Sequence, residues 1–441
     1  MKEPVNKARI RPSVWHVAAA FEIPGGIEAH VLHYATEMRN HGFDTEVVVF
    51  KPLPRDHHRF LSALFDRGIR IRSIEDLSRP LAGRMRAALF GPWFLYTLLV
   101  KRRRPKPAHF RIWAQRRASF RELDRLLAQE KPDIIHIFGR LHHDAWGRFP
   151  ASRTIFHEMM PGTVDRHWAE YELVAFRAFA EKTARYFAPG EGVAANVKRE
   201  FGIRRRIDTI FTMCPDEAGG QRAVSSEQLS VNSFLPPATY HHPSALRFGV
   251  LCRFTGQKGI RYLLDALKLY RDRHGDVDFT FAGSGPMEEQ IRAFVASNGL
   301  SNVRVVRVPS APAALKDIDV FVHPSVDDAM PMAIAEALMC GIPCLVCRVG
   351  GCADLVRDGV EGFVIEPKDT AAILARMERF AAMPPDDVLG FRRRARRRYE
   401  EVCLPSQVGA VVANHYREIL AGLPPQGPCT SSATDKECEH E

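Results

Sequence analysis

The chain has 441 residues, of which 46% are hydrophobic and 26% charged, and it carries a net charge of +10. That length suits two or three domains, each with its own core, and no apolar stretch reaches the ~18–20 residues that would cross a membrane as a helix. The positive balance favours anionic partners, whether phosphates, nucleic acid or an acidic membrane face, without choosing among them. The nine scattered cysteines exclude a secreted disulfide scaffold and point to a reducing compartment.

Lys2, Lys7, Arg9 and Arg11 precede the apolar run Val14 to Phe21, which superficially resembles a short signal peptide, but His16 interrupts the run and Glu22 closes it. Val14 to Ala20 is expected to be a strand. Gly25-Gly26 makes the turn, where the missing Cβ atoms let backbone approach a ligand. Ile27, Val31, Tyr34, Ala35 and Met38 follow at helical spacing, and Thr45 to Phe50 is a second strand. Residues 85–106 combine an apolar part, AALFGPWFLYTLLV, with the basic run KRRRPK. Two readings fit: an interfacial segment with Trp93 and Tyr96 at headgroup level, or a core helix with a solvated basic end.

Asp133 to Phe138 and Arg153 to Phe156 are buried strands by composition. His157 closes the second, at the edge where open sheets bind ligands, although a histidine merely finishing a strand is the plain alternative. Ile207 to Met213 reads as the last strand of the first half, and residues 218–245 as a linker rich in Gly, Ser, Gln, Pro and His. The second half opens on FGVLCRF, then GQKG, a helix from Ile260, and a strand running into Gly283-Ser284-Gly285-Pro286. Arg253 and Lys258 flank a glycine turn at a strand's carboxyl end, where two cations and helix amides can hold a diphosphate.

Residues 319–362 carry the densest signal. Val320 to His323 is strand-like, and a loop with Asp327 and Asp328 follows. Pro331 opens a helix in which Glu336 is the one charged residue, Gly341 caps it and Pro343 bars its continuation. An ionised Glu in so apolar a helix needs a partner or a ligand, since its burial alone would cost several kcal/mol. Ile342 to Cys347 is the next strand, and Gly350-Gly351 leads into a short helix. Strand, helix, strand, helix is the grammar of an open parallel sheet. Cys340, Cys344, Cys347 and Cys352 lack paired Cys-x-x-Cys arms; Cys344 and Cys347 fall in an apolar strand, where cysteine serves as a small hydrophobe, and lie on opposite faces. A basic run, Arg392 to Arg398, lies in what reads as one long last helix to Leu420, and is expected to be a solvated face. Residues 422–441 are polar and read as a disordered tail.

Asp328, Glu336-Ala337, Gly341-Ile342-Pro343, Gly350-Gly351 and Asp354 together resemble the donor-site signature of the retaining family-4 glycosyltransferases, with Asp328 and Asp354 standing where glutamate is usual. Gly25, Gly26, Glu28 and His30 resemble the same family's first turn, and Arg253, Lys258 and Gly285 its diphosphate-side motifs. The usual Asn-Gly-Val-Asp after the last strand of the first half is replaced by MCPDE. The resemblance implies an α/β protein of the GT-B fold, two Rossmann-like doubly wound domains facing across a cleft with a C-terminal crossover helix. The expected division is 1–217, linker 218–245, 246–390, crossover helix 391–421, and tail.

It further implies a retaining transferase that takes its sugar from a nucleotide-diphosphate sugar and needs no cofactor. Arg253 and Lys258 would offset the leaving charge, rather than a metal held by an Asp-x-Asp pair. Asp328 would lie by the sugar or β-phosphate, and His157 would face the sugar. Gly25, Gly26, Gly285, Glu336 and Met332 would bind the nucleotide sugar, with Glu336 on the ribose. The acceptor would be a glycan, a lipid-linked or a small molecule. The protein is expected to be cytoplasmic, with residues 85–106 raising peripheral contact with an anionic membrane on its inner face. Nucleic acid is disfavoured because no reader motif accompanies the basic run. A non-catalytic scaffold of the same fold that binds nucleotide or glycan stays open.

Overall fold

A computed structural model describes residues 11–21, 26–54, 59–78, 107–162, 170–216, 246–308 and 310–422. Gly25, the segment 85–106, the linker 218–245 and the tail beyond Gly422 lie outside the described residues.

The Val, Ile and Phe runs form two wholly parallel sheets. The first holds β1 (Ser13–Ala18), β2 (Asp44–Val49), β3 (Arg70–Ser73), β4 (Ile134–Phe138), β5 (Thr154–His157), β6 (Arg185–Ala188) and β7 (Asp208–Thr209), in the order β3-β2-β1-β4-β5-β6-β7. The second holds β8 (Phe248–Arg253), β9 (Phe279–Ser284), β10 (Val303–Val306), β11 (Val320–His323), β12 (Cys344–Cys347) and β13 (Gly362–Ile365), in the order β10-β9-β8-β11-β12-β13. Helices cover both faces of each, as parallel strands require because both of their faces are buried. Alternation along β12 separates the faces: Cys344 and Val346 join one core cluster while Leu345 and Cys347 join the other. Burial pushes the Cys340 and Cys347 thiols up to about 12, so both are inert apolar fillers at neutral pH.

The order reverses between β1 and β4 in one sheet and between β8 and β11 in the other. Neighbouring strands there send their chains to opposite faces and leave a crevice at their carboxyl ends. Both Rossmann-like domains therefore present a crevice of this kind.

The expected single last helix is two. Pro385–Val402 ends at Cys403, and Pro405, which cannot continue a helix from its predecessor, starts Pro405–Leu420. The first packs on the second domain through Phe391, Ala395, Tyr399 and Val402. The second packs on the first domain through Val408, Val412, Ala413 and Tyr416, whose hydroxyl lies 2.6 Å from His136 Nδ1. The basic run is not a solvated face either. Arg393 and Arg397 are exposed, but Arg392 is buried and Arg396 binds Asp216 (2.6 Å) and the Met339 carbonyl (2.8 Å). Arg394 holds the Val360 carbonyl and Arg398 that of Asp354. These arginines fasten the helix to its domain and to the crossing at Cys214–Asp216.

Candidate active site

The second crevice is assembled by two turns that lock together. After β8, Gly259 takes φ +67° and lies so close to Pro324 that a Cβ would sit 1.8 Å from its carbonyl oxygen. Val326 N–H donates to the Gln257 carbonyl at 2.8 Å. The GQKG turn and the HPSV turn are thereby clamped, and Lys258 and Asp328 meet as an ion pair. Arg253 ends β8 beside them, exposed. Gly283 and Gly285 lie flat on the same turn: a Cβ on either would fall 2.0 Å from the Cys252 oxygen or 2.6 Å from the Phe254 oxygen. Backbone thus approaches backbone at the carboxyl edge, with two cations nearby.

Asp328 has more partners than its neighbours in sequence suggest. Its Oδ2 accepts from Lys258 Nζ, from His323 Nε2 at 3.0 Å and from the Ser325 hydroxyl at 3.2 Å, while Ser325 Oγ lies 2.9 Å from His323 Nε2. The proton of His323 therefore sits on Nε2. Burial alone would raise the Asp328 carboxyl; the His323 and Lys258 contacts overcome it and hold the group well below the usual carboxylate range. His323 itself is lowered by burial, with Asp328 opposing. Burial and then the charge of Asp328 raise Asp327. One oxygen of Asp328 is saturated, and Oδ1 takes no hydrogen bond among the described residues, so an ionised acceptor is left for a ligand.

Glu336 is half-buried on the helix Met332–Met339. Met332, at the start of that helix, places its Sδ 2.9 Å from Thr212 Oγ1 of the first domain. Thr212 also lies 2.7 Å from His30 Nε2, and His30 Nδ1 donates to the Gly26 carbonyl at 2.6 Å. Gly26, at the start of the first helix, and the helix Met332–Met339 are therefore joined through His30 and one threonine. His157 is buried among Tyr34, His136, Phe138 and Phe187. Desolvation, then the neighbouring His30, lowers its pKa well below the ordinary value, so the ring is neutral.

Two Asp-x-Asp pairs do occur, Asp276-Val277-Asp278 and Asp317-Ile318-Asp319. Both precede their strands, at the edge of the sheet opposite Lys258, and Arg247 binds Asp317 (3.2 Å) and Asp319 (2.9 Å). His323 and Ser325 do not stand out in the sequence; their one signal is a polar His-Pro-Ser at the end of an apolar strand. Gly190 and Gly192 are equally inconspicuous. They lie in PGEG at the start of the helix Glu191–Phe201, and Gly192 N–H donates to Asp354 Oδ2 at 3.1 Å from the other domain.

Two family models match this chain: "Glycosyltransferase Family 4" over residues 24–214 and "Glycosyl transferases group 1" over residues 245–382. Between them they take in both crevices. The chain belongs to the group 1, family 4 glycosyltransferases. It is 26% identical over 266 residues to a 2-deoxystreptamine glucosyltransferase of Streptomyces kanamyceticus, covering 58% of this chain and 64% of that protein. It is 29% identical over 137 residues to an Escherichia coli UDP-Gal:alpha-D-GlcNAc-diphosphoundecaprenol alpha-1,3-galactosyltransferase, covering 30% and 35%. The first curated relatives are matched over about half their length. Among solved structures, Anabaena Alr3699/HepE, in complex with UDP and glucose, aligns with TM-score 0.63 at 16% identity over 91% of this chain and 98% of that one. At that identity the likeness shows the fold, and the fold is GT-B.

The two aspartates of the resembled signature part company in space. The structure shows where each carboxylate goes. Asp328 reaches Lys258, whereas Asp354 reaches the first domain.

Proposed function

We propose that the protein is a retaining, metal-independent glycosyltransferase that moves a sugar from a nucleotide-diphosphate sugar to a glycan, lipid-linked or small-molecule acceptor. The observation that carries this reading is the Lys258–Asp328 pair at the switch point of the second sheet, beside Arg253 and the close-packed Gly283 and Gly285. The UDP and glucose bound by the Anabaena protein support a nucleotide-sugar donor. The diphosphoundecaprenol for which the Escherichia coli relative is named supports a lipid-linked acceptor among the candidates.

The chemistry follows from charge. As the bond between the anomeric carbon and the diphosphate oxygen breaks, negative charge grows on the phosphate, where preorganised cations act in a partly desolvated site. Arg253 and Lys258 take that role, Lys258 exchanging part of its contact with Asp328 for the phosphate. Asp328 then receives a sugar hydroxyl on its open oxygen. Glu336 accepts from the ribose, Gly25, Gly26, Gly285 and Met332 line the nucleotide sugar, and His157 faces the sugar from the first domain as a neutral ring. The acceptor oxygen bonds to the anomeric carbon on the face the phosphate leaves, and its proton passes to that phosphate, so no separate base is required. With two cations supplied by side chains, no metal ion and no organic cofactor is needed.

Release of nucleotide from a panel of nucleotide sugars, with and without EDTA, tests this. Turnover that survives chelation is the expected result. Loss of activity with EDTA, restored by magnesium or manganese, would overturn metal independence, and nucleotide binding without turnover would favour the scaffold reading. Among the described residues no helix is long and apolar enough to cross a membrane. Peripheral attachment at the cytoplasmic face of the inner membrane, through 85–106, is part of the same proposal. The protein should then pellet with anionic vesicles and release with salt, and Trp93→Ser with Phe94→Ser should weaken that binding.

A further inference from the structure

The helix Glu191–Phe201 belongs to the first domain, and its first amides have no acceptor within the helix. Gly192 N–H finds one in the other domain, at Asp354 Oδ2. Burial raises the Asp354 carboxyl, the Gly192 amide counteracts that rise, and the nearby Glu191 charge adds to it. A carboxylate at a helix N-terminus also meets the positive end of the helix dipole. Behind Asp354, Arg398 holds its backbone carbonyl at 2.7 Å.

The glycines make this contact close. A Cβ on Gly192 would lie 2.0 Å from the Gly350 carbonyl oxygen, and one on Gly190 would lie 2.5 Å from Asp354 Oδ2. Gly350 is itself pressed on the next layer: at φ +48°, its Cβ would fall 2.0 Å from the Asp328 carbonyl oxygen. Gly351 N–H donates to the Ala329 carbonyl at 2.6 Å. Three backbones are therefore stacked, the helix start of the first domain, then Gly350-Gly351, then Asp328-Ala329. The last carries the carboxylate that meets Lys258.

We propose that Gly192 and Asp354 are positioning residues: docking of the helix start on Gly350-Gly351 holds the Asp328 loop in place, so that Asp328 is set when the two domains are together. The proposal rests on the glycosyltransferase reading for the role of Asp328, but the contact can be tested without it. Gly192 is not in the left-handed region, and alanine suits a helix's first turn. Gly192→Ala therefore harms the domain contact and leaves its own helix sound.

Hydrogen exchange read by mass spectrometry is the first arm. The Gly192 amide, which lacks an intrahelical acceptor, should exchange slowly in wild type and fast in Asp354→Ala. It should stay protected in Asp354→Asn, whose side-chain oxygen still accepts. Exchange over 326–332 should rise in Gly192→Ala. In the second arm, turnover by Gly192→Ala should fall at least tenfold while affinity for whichever of UDP, GDP or ADP binds wild type stays within twofold, and Asp354→Asn should recover turnover relative to Asp354→Ala. Unchanged exchange at Gly192 in Asp354→Ala, or over 326–332 in Gly192→Ala, overturns the proposal, as does wild-type turnover by Gly192→Ala. If wild type transfers no sugar from any donor, the functional reading falls and the exchange arm still decides whether docking holds the loop.

Discussion

The two crevices treat ionisable groups in opposite ways. In the second domain, Asp328 stays ionised inside the protein because Lys258, His323 and Ser325 converge on one oxygen. In the first domain, His16, His30, His136 and His157 are all buried and all neutral, with burial the first cause at each. Neither ring nitrogen of His16 has a hydrogen-bond partner among the described residues. Charge is retained where partners are built for it and given up where they are not. The same rule holds at the edge of the first crevice, where the buried Glu158, next to His157, is paired with Arg140 at 3.3 Å.

Removing the cation from the charged crevice should have the largest effect. Lys258→Ala takes away the proposed phosphate partner and the ion-pair partner of Asp328. On the scale of losing one preorganised donor in an active site, turnover should drop on the order of 10²-fold, read as the initial rate of nucleotide release. A rate within threefold of wild type would mean that the pair is an ornament of the surface.

The two acids should then separate in calorimetry with the cognate nucleotide. If Glu336 binds the ribose as proposed, Glu336→Gln weakens charge-assisted hydrogen bonds of roughly 1.5–3 kcal/mol, so nucleotide affinity should fall about tenfold or more. Asp328→Asn should leave that affinity nearly intact and depress turnover. The reverse pattern would show that the two roles are exchanged.

The neutral crevice makes the next prediction. His16 is held at about 3 and His30 at about 4, against about 6.5 in the unfolded chain. A histidine with a lowered folded pKa contributes its full stability above 6.5 and loses it as pH falls from 6.5 toward the folded value. Within that window each such histidine costs about 1.4 kcal/mol per pH unit. Urea midpoints should therefore drop steeply between pH 6.5 and pH 4.5. His16→Leu, which removes two unpartnered nitrogens, should flatten the slope, and an unchanged slope would mean that His16 binds no extra proton on unfolding.

Much of this was legible in sequence because it is local. Strand runs, the helix Met332–Met339 with Gly341 at φ +62° after it, and the glycine turns are written in spacing and residue type. The pairing of Lys258 with Asp328 was only half legible: both were candidates, but nothing local says that Gly259 must sit on Pro324. The basic run held a signal that charge obscured. Phe391, Ala395, Tyr399 and Val402 form an apolar stripe at helical spacing, and Arg392, Arg396 and Arg398 flank it, so these side chains are drawn inward. The target of Asp354 could not be read at all, since it lies 162 residues away in the other domain.

The smallest expected effect concerns how the neutral crevice is closed from outside. Tyr416, on the helix Pro405–Leu420, is fully buried and sets its hydroxyl 2.6 Å from His136 Nδ1, while His136 stacks on His157 with ring centroids 5.4 Å apart. The chain's last described helix is thus tied to the first sheet by this contact and by the Arg185–Glu418 ion pair at 2.9 Å. Tyr416→Phe keeps the ring and its edge-on packing against Phe43 and removes only the hydroxyl. One net hydrogen bond contributes about 1 kcal/mol, so the urea midpoint should shift slightly. Exchange of amides over 405–420 should rise by a few-fold, because the contact anchors that helix and little else. Nucleotide affinity, assigned by the proposal to the other domain, should not move. If exchange over 405–420 is unchanged, apolar packing and the Arg185–Glu418 pair hold the helix, and the His136 contact is a consequence of its docking instead of a cause.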